Sequence, residues 1–130
     1  MPKKVSQKLE IIFAILVLTV ILEMAHYTIL SSEISYTINS AFIFGILGTN
    51  VVAIMVSLIL IVVILIYVKR RYVSPSALIF IMSGAITNVL DRIVHGGSID
   101  YVHFLNIPAF NAPDILIVFG LVIFFFEVAL

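Results

Sequence analysis

All three aspartates of the chain, Asp91, Asp100 and Asp114, fall within one stretch of 24 residues. Two carboxyl groups brought together cannot easily both ionise, so one of them holds its proton to higher pH. Such a pair supplies a base and an acid at the same pH. That suffices to activate a water and to protonate a leaving amine. Asp114 follows Ala112-Pro113, a sequence that opens a helix, and an anion in a first helical turn is favoured by the helix dipole. Asp114 is therefore the better placed base. Asp100 sits among apolar neighbours in GGSIDYVHF and is the better placed acid. A solvated loop aspartate and a simple capping acid are the plainer readings of the two positions.

Other polar residues gather nearby. Asn88, Asp91 and His95 are spaced i, i+3 and i+7, and Gly84 lies one turn before them. On a helix they share one face. That stripe reads equally as interhelical packing or as support for a catalytic group. Arg92 points away from Asp91. Its simpler reading is an arginine snorkelling to headgroups; the sharper one is a clamp on the outer loop or on a lipid phosphate. Asn111 reads as an N-cap or turn residue that could also hydrogen-bond a carboxylate. Glu23 and His26 share a face near the end of the first apolar run, where a carboxyl group needs a partner in another helix. Glu127 reads as a residue snorkelling at the opposite interface. His95, Asp100, His103 and Asp114 could in principle bind zinc, but no ligand spacing supports a metal. No cofactor is expected. No G-x-S-x-G or G-x-G-D motif is present.

The elements that hold these residues must lie in a bilayer. The 130 residues are 63% hydrophobic and 11% charged, with a mean hydropathy of +1.30. A soluble domain of this size could not bury so much apolar side chain. Zero net charge and the absence of a basic tract exclude nucleic acid as the expected partner. There are no cysteines, so disulfide and thiol chemistry are excluded. The pattern predicts an all-α membrane protein with four transmembrane helices over about 9–30, 51–68, 75–95 and 113–130, forming a single membrane domain. Ser74-Pro75 should start the third helix and Gly96-Gly97 should end it. Lys3, Lys4 and Lys8 precede the first span, and Lys69, Arg70 and Arg71 lie between the second and third. The positive-inside rule then puts both termini in the cytoplasm and the aspartates on the outer side. Ser31-Ser32-Glu33 is a poor cleavage site, so the first span is expected to be retained. Between the first two helices, SEISYTIN alternates with period two, placing Ile34, Tyr36 and Ile38 on one face. It predicts a small strand or hairpin on the outer membrane surface, covering the site.

In this setting the aspartate window resembles the lipoprotein signal peptidases, or signal peptidase II. That family carries G-x-x-G-N-x-x-D-R, then V-V-D-F, then F-N-x-A-D at the start of the last helix. The same order here reads Gly84 to Arg92, then Ser98-Ile99-Asp100-Tyr101, then Phe110-Asn111-Ala112-Pro113-Asp114. Asn39 to Gly45 looks like the family's N-x-G-A-x-F-G, and the Asp of A-D-x-x-T-K would fall at Glu23. The chain departs from the pattern at Glu23, Ala41, Thr87 and Pro113, and no Thr-Lys follows Met24. The resemblance implies a bacterial plasma-membrane aspartic endopeptidase with Asp100 and Asp114 as its catalytic pair. Asn88, Asp91, Arg92, Asn111, Asn39 and Glu23 would support them. The implied substrates are diacylglyceryl-modified prolipoproteins, cut before the lipid-bearing Cys by a monomeric enzyme among membrane phospholipids. The competing readings are a small transporter or lipid-binding membrane protein, and a silent assembly subunit.

Overall fold

In lipid, a spanning segment must satisfy its backbone hydrogen bonds internally, and a helix does so. The computed structural model describes residues 3–40, 49–70 and 73–129. Among them are four helices long and apolar enough to cross a membrane: α1 (Lys3–Leu30), α2 (Asn50–Arg70), α3 (Pro75–His95) and α4 (Ala112–Ala129). The expected start of α1 near residue 9 moves to Lys3, because the lysine-bearing segment continues the helix. Arg71 and residues 41–45 of the upstream motif lie outside the described residues.

Half of the apolar window of α3 is buried, against 17% for α1, 11% for α4 and 6% for α2. The other helices therefore pack on α3 and turn most of their surface outward. Local chemistry fixes the ends of α3. The Ser74 hydroxyl accepts the Ala77 N–H at 3.2 Å, Pro75 occupies the first turn, and Gly96 ends the helix at φ 80°. That left-handed conformation costs glycine little. Glu127 does more than snorkel: its carboxyl accepts the Ser74 N–H at 3.3 Å, joining the far end of α4 to the start of α3.

Four short strands lie at the end of the bundle that holds the aspartates. They are β1 (Thr37–Asn39), β2 (Ser98–Asp100), β3 (Val102–Phe104) and β4 (Ile107–Phe110). The segment between α1 and α2 does not pair with itself among the described residues. Instead β1 pairs antiparallel with β2, matching Thr37 with Asp100 and Asn39 with Ser98. Only Ile38 of the expected apolar face lies in a strand, and Ile34, Tyr36 and Ile38 are all exposed. Period two signalled an extended chain, but its partner comes from 60 residues further on, between α3 and α4. Strands β3 and β4 form a hairpin between Asp100 and Asp114, turning at Leu105 with φ 48°. Asp100 therefore ends a buried strand and is not a loop residue.

The seam between α3 and α4 depends on close approach. A Cβ at Gly84 would lie 2.5 Å from the Pro113 carbonyl oxygen and 2.7 Å from Ile117. Gly120 on α4 makes the reciprocal approach to Ile81, with 2.6 Å for the same construction. Small residues let membrane helices meet backbone to backbone. Gly84→Ala is expected to destabilise the protein by about 1–3 kcal/mol, as overpacking does. Thermal unfolding in detergent would read this as a lower midpoint; an unshifted midpoint would mean that the seam opens without cost.

Candidate active site

The site is built at the start of α4. Asn111 caps the helix: its side-chain oxygen accepts the Asp114 N–H at 2.9 Å. In return Asp114 accepts the Asn111 N–H at 3.1 Å. This reciprocal cap satisfies donors that a helix start leaves open. It also spends only one side of the Asn111 amide. The remaining NH₂ reaches the Asn88 side-chain oxygen at 2.9 Å and Asp100 Oδ1 at 3.2 Å. Asn88 in turn donates to the other oxygen of Asp114 at 2.9 Å. Asn111 is fully buried and Asp100 nearly so. One amide side chain thus bonds Asp100 directly and Asp114 by its cap, while Asn88 closes the ring.

Asp100 is held from its own strand and from β1. Ser98 donates to Asp100 Oδ1 at 3.3 Å, and the Asn39 side chain also hydrogen-bonds the carboxyl. Burial pushes the Asp100 carboxyl up to about 6, with the charge of Asp114 adding to the push. The bonds from Asn39 and Ser98 and the charge of Arg92 pull the other way. The two carboxyl groups therefore feel one another in a dry setting, which separates their titrations.

Arg92 does not snorkel. It is 8% exposed, and its guanidinium donates to the Asn39 carbonyl at 3.1 Å and to the Asn50 side chain at 3.2 Å. Asn50 returns a bond to the Arg92 carbonyl at 2.9 Å. Arg92 is the clamp that joins α3, β1 and the start of α2. A charge this deep is tolerable because it donates to two oxygens and the carboxyl groups of Asp100 and Asp114 lie near.

The expected stripe of Asn88, Asp91 and His95 divides. Asn88 serves the carboxyl pair. Asp91 turns toward α1, where its Oδ2 lies 2.6 Å from His26 Nδ1, with Glu23 adjoining it. His95 is exposed at the helix end and braces nothing among the described residues. The spacing was right for one face, but that face is wide enough to meet α4 at Asn88 and α1 at Asp91. Among the described residues no cluster of His, Cys, Asp or Glu could hold a metal. Ser98, Asn50 and Tyr101 join the polar network without having stood out in the sequence. Their only signal was a hydrogen-bonding group at a variable position of a motif or at a span boundary.

Asp100, Asp114, Asn88, Asn39 and Arg92 face a cavity of about 520 Å³. Apart from Ser98 and, part-way along α2, Ser57, its remaining wall is apolar and runs down between the helices, through Ile61 and Ile64 of α2 and Ile117 and Leu121 of α4. The charged and amide side chains are gathered at one end. The chain has a match among known protein families: the family described as signal peptidase (SPase) II, Peptidase_A8, matches residues 8–130. The chain belongs to the signal peptidase II family. Signal peptidase II is an aspartic peptidase family. The lipoprotein signal peptidase of Moorella thermoacetica is 30% identical over 104 residues, which cover 75% of this chain and 69% of that protein. That of Clostridium novyi is 36% identical over 96 residues, covering 66% of this chain and 65% of its own length. That of Chromobacterium violaceum is 45% identical over 60 residues, covering 41% of this chain and 37% of its own. A bacterial membrane enzyme solved by the in meso method shares the fold, with a TM-score of 0.76 over 92% of this chain and 87% of that one at 17% identity.

The raised Asp100 value predicts a pH dependence of stability. Its ordinary value is 3.8 and its folded value about 6. Between these the folded state binds more proton than the unfolded state, so stability falls as pH rises through that window. Asp100→Asn removes the buried anion. The variant should melt above the wild type at pH 7.5, and the gap should close near pH 4. A gap that stayed constant with pH would contradict the assignment.

Proposed function

We propose that the chain is a multi-pass membrane aspartic endopeptidase that removes signal peptides from diacylglyceryl-modified prolipoproteins. Asp100 and Asp114 are its catalytic residues. The observation that carries this reading is the shared cradle: Asn111 bonds Asp100 through its side chain and Asp114 through its backbone N–H, Asn88 bonds Asp114 and Asn111, and the two carboxyl groups face one cavity. The named relatives are lipoprotein signal peptidases, which supports the substrate class. Lys3, Lys4 and Lys8 at the start of α1 and Lys69 and Arg70 at the end of α2 support cytoplasmic termini, with the carboxyl pair at the outer face of a bacterial plasma membrane.

The chemistry follows from the two environments. Asp114 sits at a helix N-terminus and accepts two hydrogen bonds, one from the backbone and one from Asn88. That setting favours its anion, so Asp114 takes a proton from water as the oxygen attacks the scissile carbonyl carbon. Asp100 is desolvated and keeps its proton more readily. It gives that proton to the carbonyl oxygen, forming a neutral gem-diol. In collapse of the gem-diol, Asp114 delivers its proton to the amide nitrogen and the C–N bond breaks. Asp100 recovers a proton from the hydroxyl that becomes the new carbonyl. Protons balance, and no covalent intermediate forms.

Asn39, Asn88, Arg92 and Asn111 hold the pair and the strand above it, whereas Asp91 and Glu23 act on the α1 side. The apolar wall of the cavity suits the acyl chains of a lipidated Cys. A transporter would gather polar groups near the bilayer midplane; here they crowd one end of the bundle. Incubation of purified protein with a lipidated prolipoprotein tests the proposal. Asp100→Asn and Asp114→Asn should each lower kcat by about a thousandfold, in the range of lost acid–base catalysis. Cleavage by either variant at the wild-type rate would remove that residue from the pair. Absence of cleavage by folded wild type would defeat the peptidase reading.

A further inference from the structure

A second polar cluster lies between α1, α3 and the strand that carries Asp100, and the mechanism above does not use it. His26 and Asp91 are each 1% exposed. His26 Nδ1 is 2.6 Å from Asp91 Oδ2, and His26 Nε2 is 3.1 Å from the Tyr101 hydroxyl. The hydroxyl in turn accepts the Ala112 N–H at 3.0 Å. The imidazole and phenol rings meet edge to face, with centroids 5.3 Å apart.

With Asp91 an anion and His26 a neutral imidazole, the donors and acceptors have one consistent direction. Asp91 can only accept, so Nδ1 carries the imidazole proton. Nε2 is then a lone pair and accepts the Tyr101 O–H. The phenol oxygen remains to accept from Ala112. The chain runs from the Ala112 N–H through Tyr101 and His26 to Asp91. Burial also raises the titration of Tyr101 above its ordinary range, which keeps its proton available for His26.

Its two ends explain what it does. Ala112 is the first residue of α4, two before Asp114, and its N–H is one of the open donors of that helix start. Tyr101 directly follows Asp100. The phenol therefore connects the backbone beside one aspartate to the backbone just before the other. Tyr101 and His26, like Glu23 beside them, also differ from the signal peptidase II motifs quoted above. Tyr101 stands at the Phe of V-V-D-F, His26 at the Thr of A-D-x-x-T-K, and Glu23 at the Asp of that motif. A phenylalanine has no hydroxyl to reach Ala112, and a Tyr here needs an acceptor. His26 supplies it.

We propose that His26 and Tyr101 are paired positioning residues: the Tyr101 hydroxyl, oriented by His26, fixes the first turn of α4 against β2 and so sets Asp114 against Asp100. The proposal rests on the reading of Asp100 and Asp114 as the catalytic pair. Two amides can separate the ends of the imidazole. Asn at position 26 places a donor near the place of Nδ1 and keeps Asp91 but not Tyr101. Gln places an acceptor near the place of Nε2 and keeps Tyr101.

The test measures kcat and KM separately for the full chain in detergent, with a lipidated prolipoprotein as substrate. Tyr101→Phe and His26→Asn are each expected to lower kcat roughly 3- to 30-fold while KM stays within about twofold. The double variant should match the singles, because both remove one link. His26→Gln should recover to within roughly threefold of wild type. Wild-type kcat in both single variants would overturn the proposal. So would multiplied losses in the double variant, an equal loss in His26→Gln and His26→Asn, or a change confined to KM. Melting midpoints accompany each variant; if His26→Asn does not fold, the comparison of Tyr101→Phe with His26→Gln decides. Asp114→Asn is the control. If it cleaves normally, the catalytic pair is wrong; if it is inactive while Tyr101→Phe and His26→Asn are normal, only the positioning role falls.

Discussion

The reciprocal cap between Asn111 and Asp114 is the interaction on which the site depends. Ser, Thr or Asp could cap the helix equally well, since the cap itself needs only an acceptor. Those residues would lack the NH₂ group that Asn111 directs at Asn88 and Asp100. The helix start and the cradle are therefore one structure. Forming the first turn of α4 orients Asn111, and orienting Asn111 bonds Asp100 and, through Asn88, Asp114.

Around that point the fold assigns its elements by direction. Asp91 and Arg92 are neighbours in sequence on the most buried helix, yet they serve opposite sides. Asp91 faces α1 through His26, and Arg92 faces β1 and α2 through Asn39 and Asn50. The 100° step between successive helical residues produces this separation. Arg92 is held in place by a carbonyl, an amide and nearby carboxylates. It cannot reach for headgroups without giving up all of them.

The helices and the aspartate window were legible in the sequence because they rest on local rules. Length and hydropathy mark the spans, and Ser74-Pro75 and Gly96 mark the ends of α3. Asp100 and Asp114 were legible because carboxylates in so apolar a chain require a reason. What was not legible depends on long-range geometry. The alternation around Ile38 told of an extended chain but not that Ser98–Asp100 pairs with it. Asn88 and Asp91 shared a predicted face, but only packing decides that one meets α4 and the other α1. The hairpin between the aspartates was missed because its strands are three and four residues long, too short for a periodic signal. His26 was visible as polar and Tyr101 as aromatic; that they bond is a property of the fold.

The cavity beside the carboxyl pair shares walls with the outer surface of the bundle. Leu60 of α2 and Val118 of α4 line it, yet they are 51% and 60% exposed. Its side wall is thus made partly of lipid-facing residues, and a molecule dissolved in the bilayer can approach without crossing water. Encounter then takes place on a sheet, so the quantity that governs saturation is the number of substrate molecules per lipid. Adding detergent or lipid at constant volume dilutes such a substrate, while adding buffer does not.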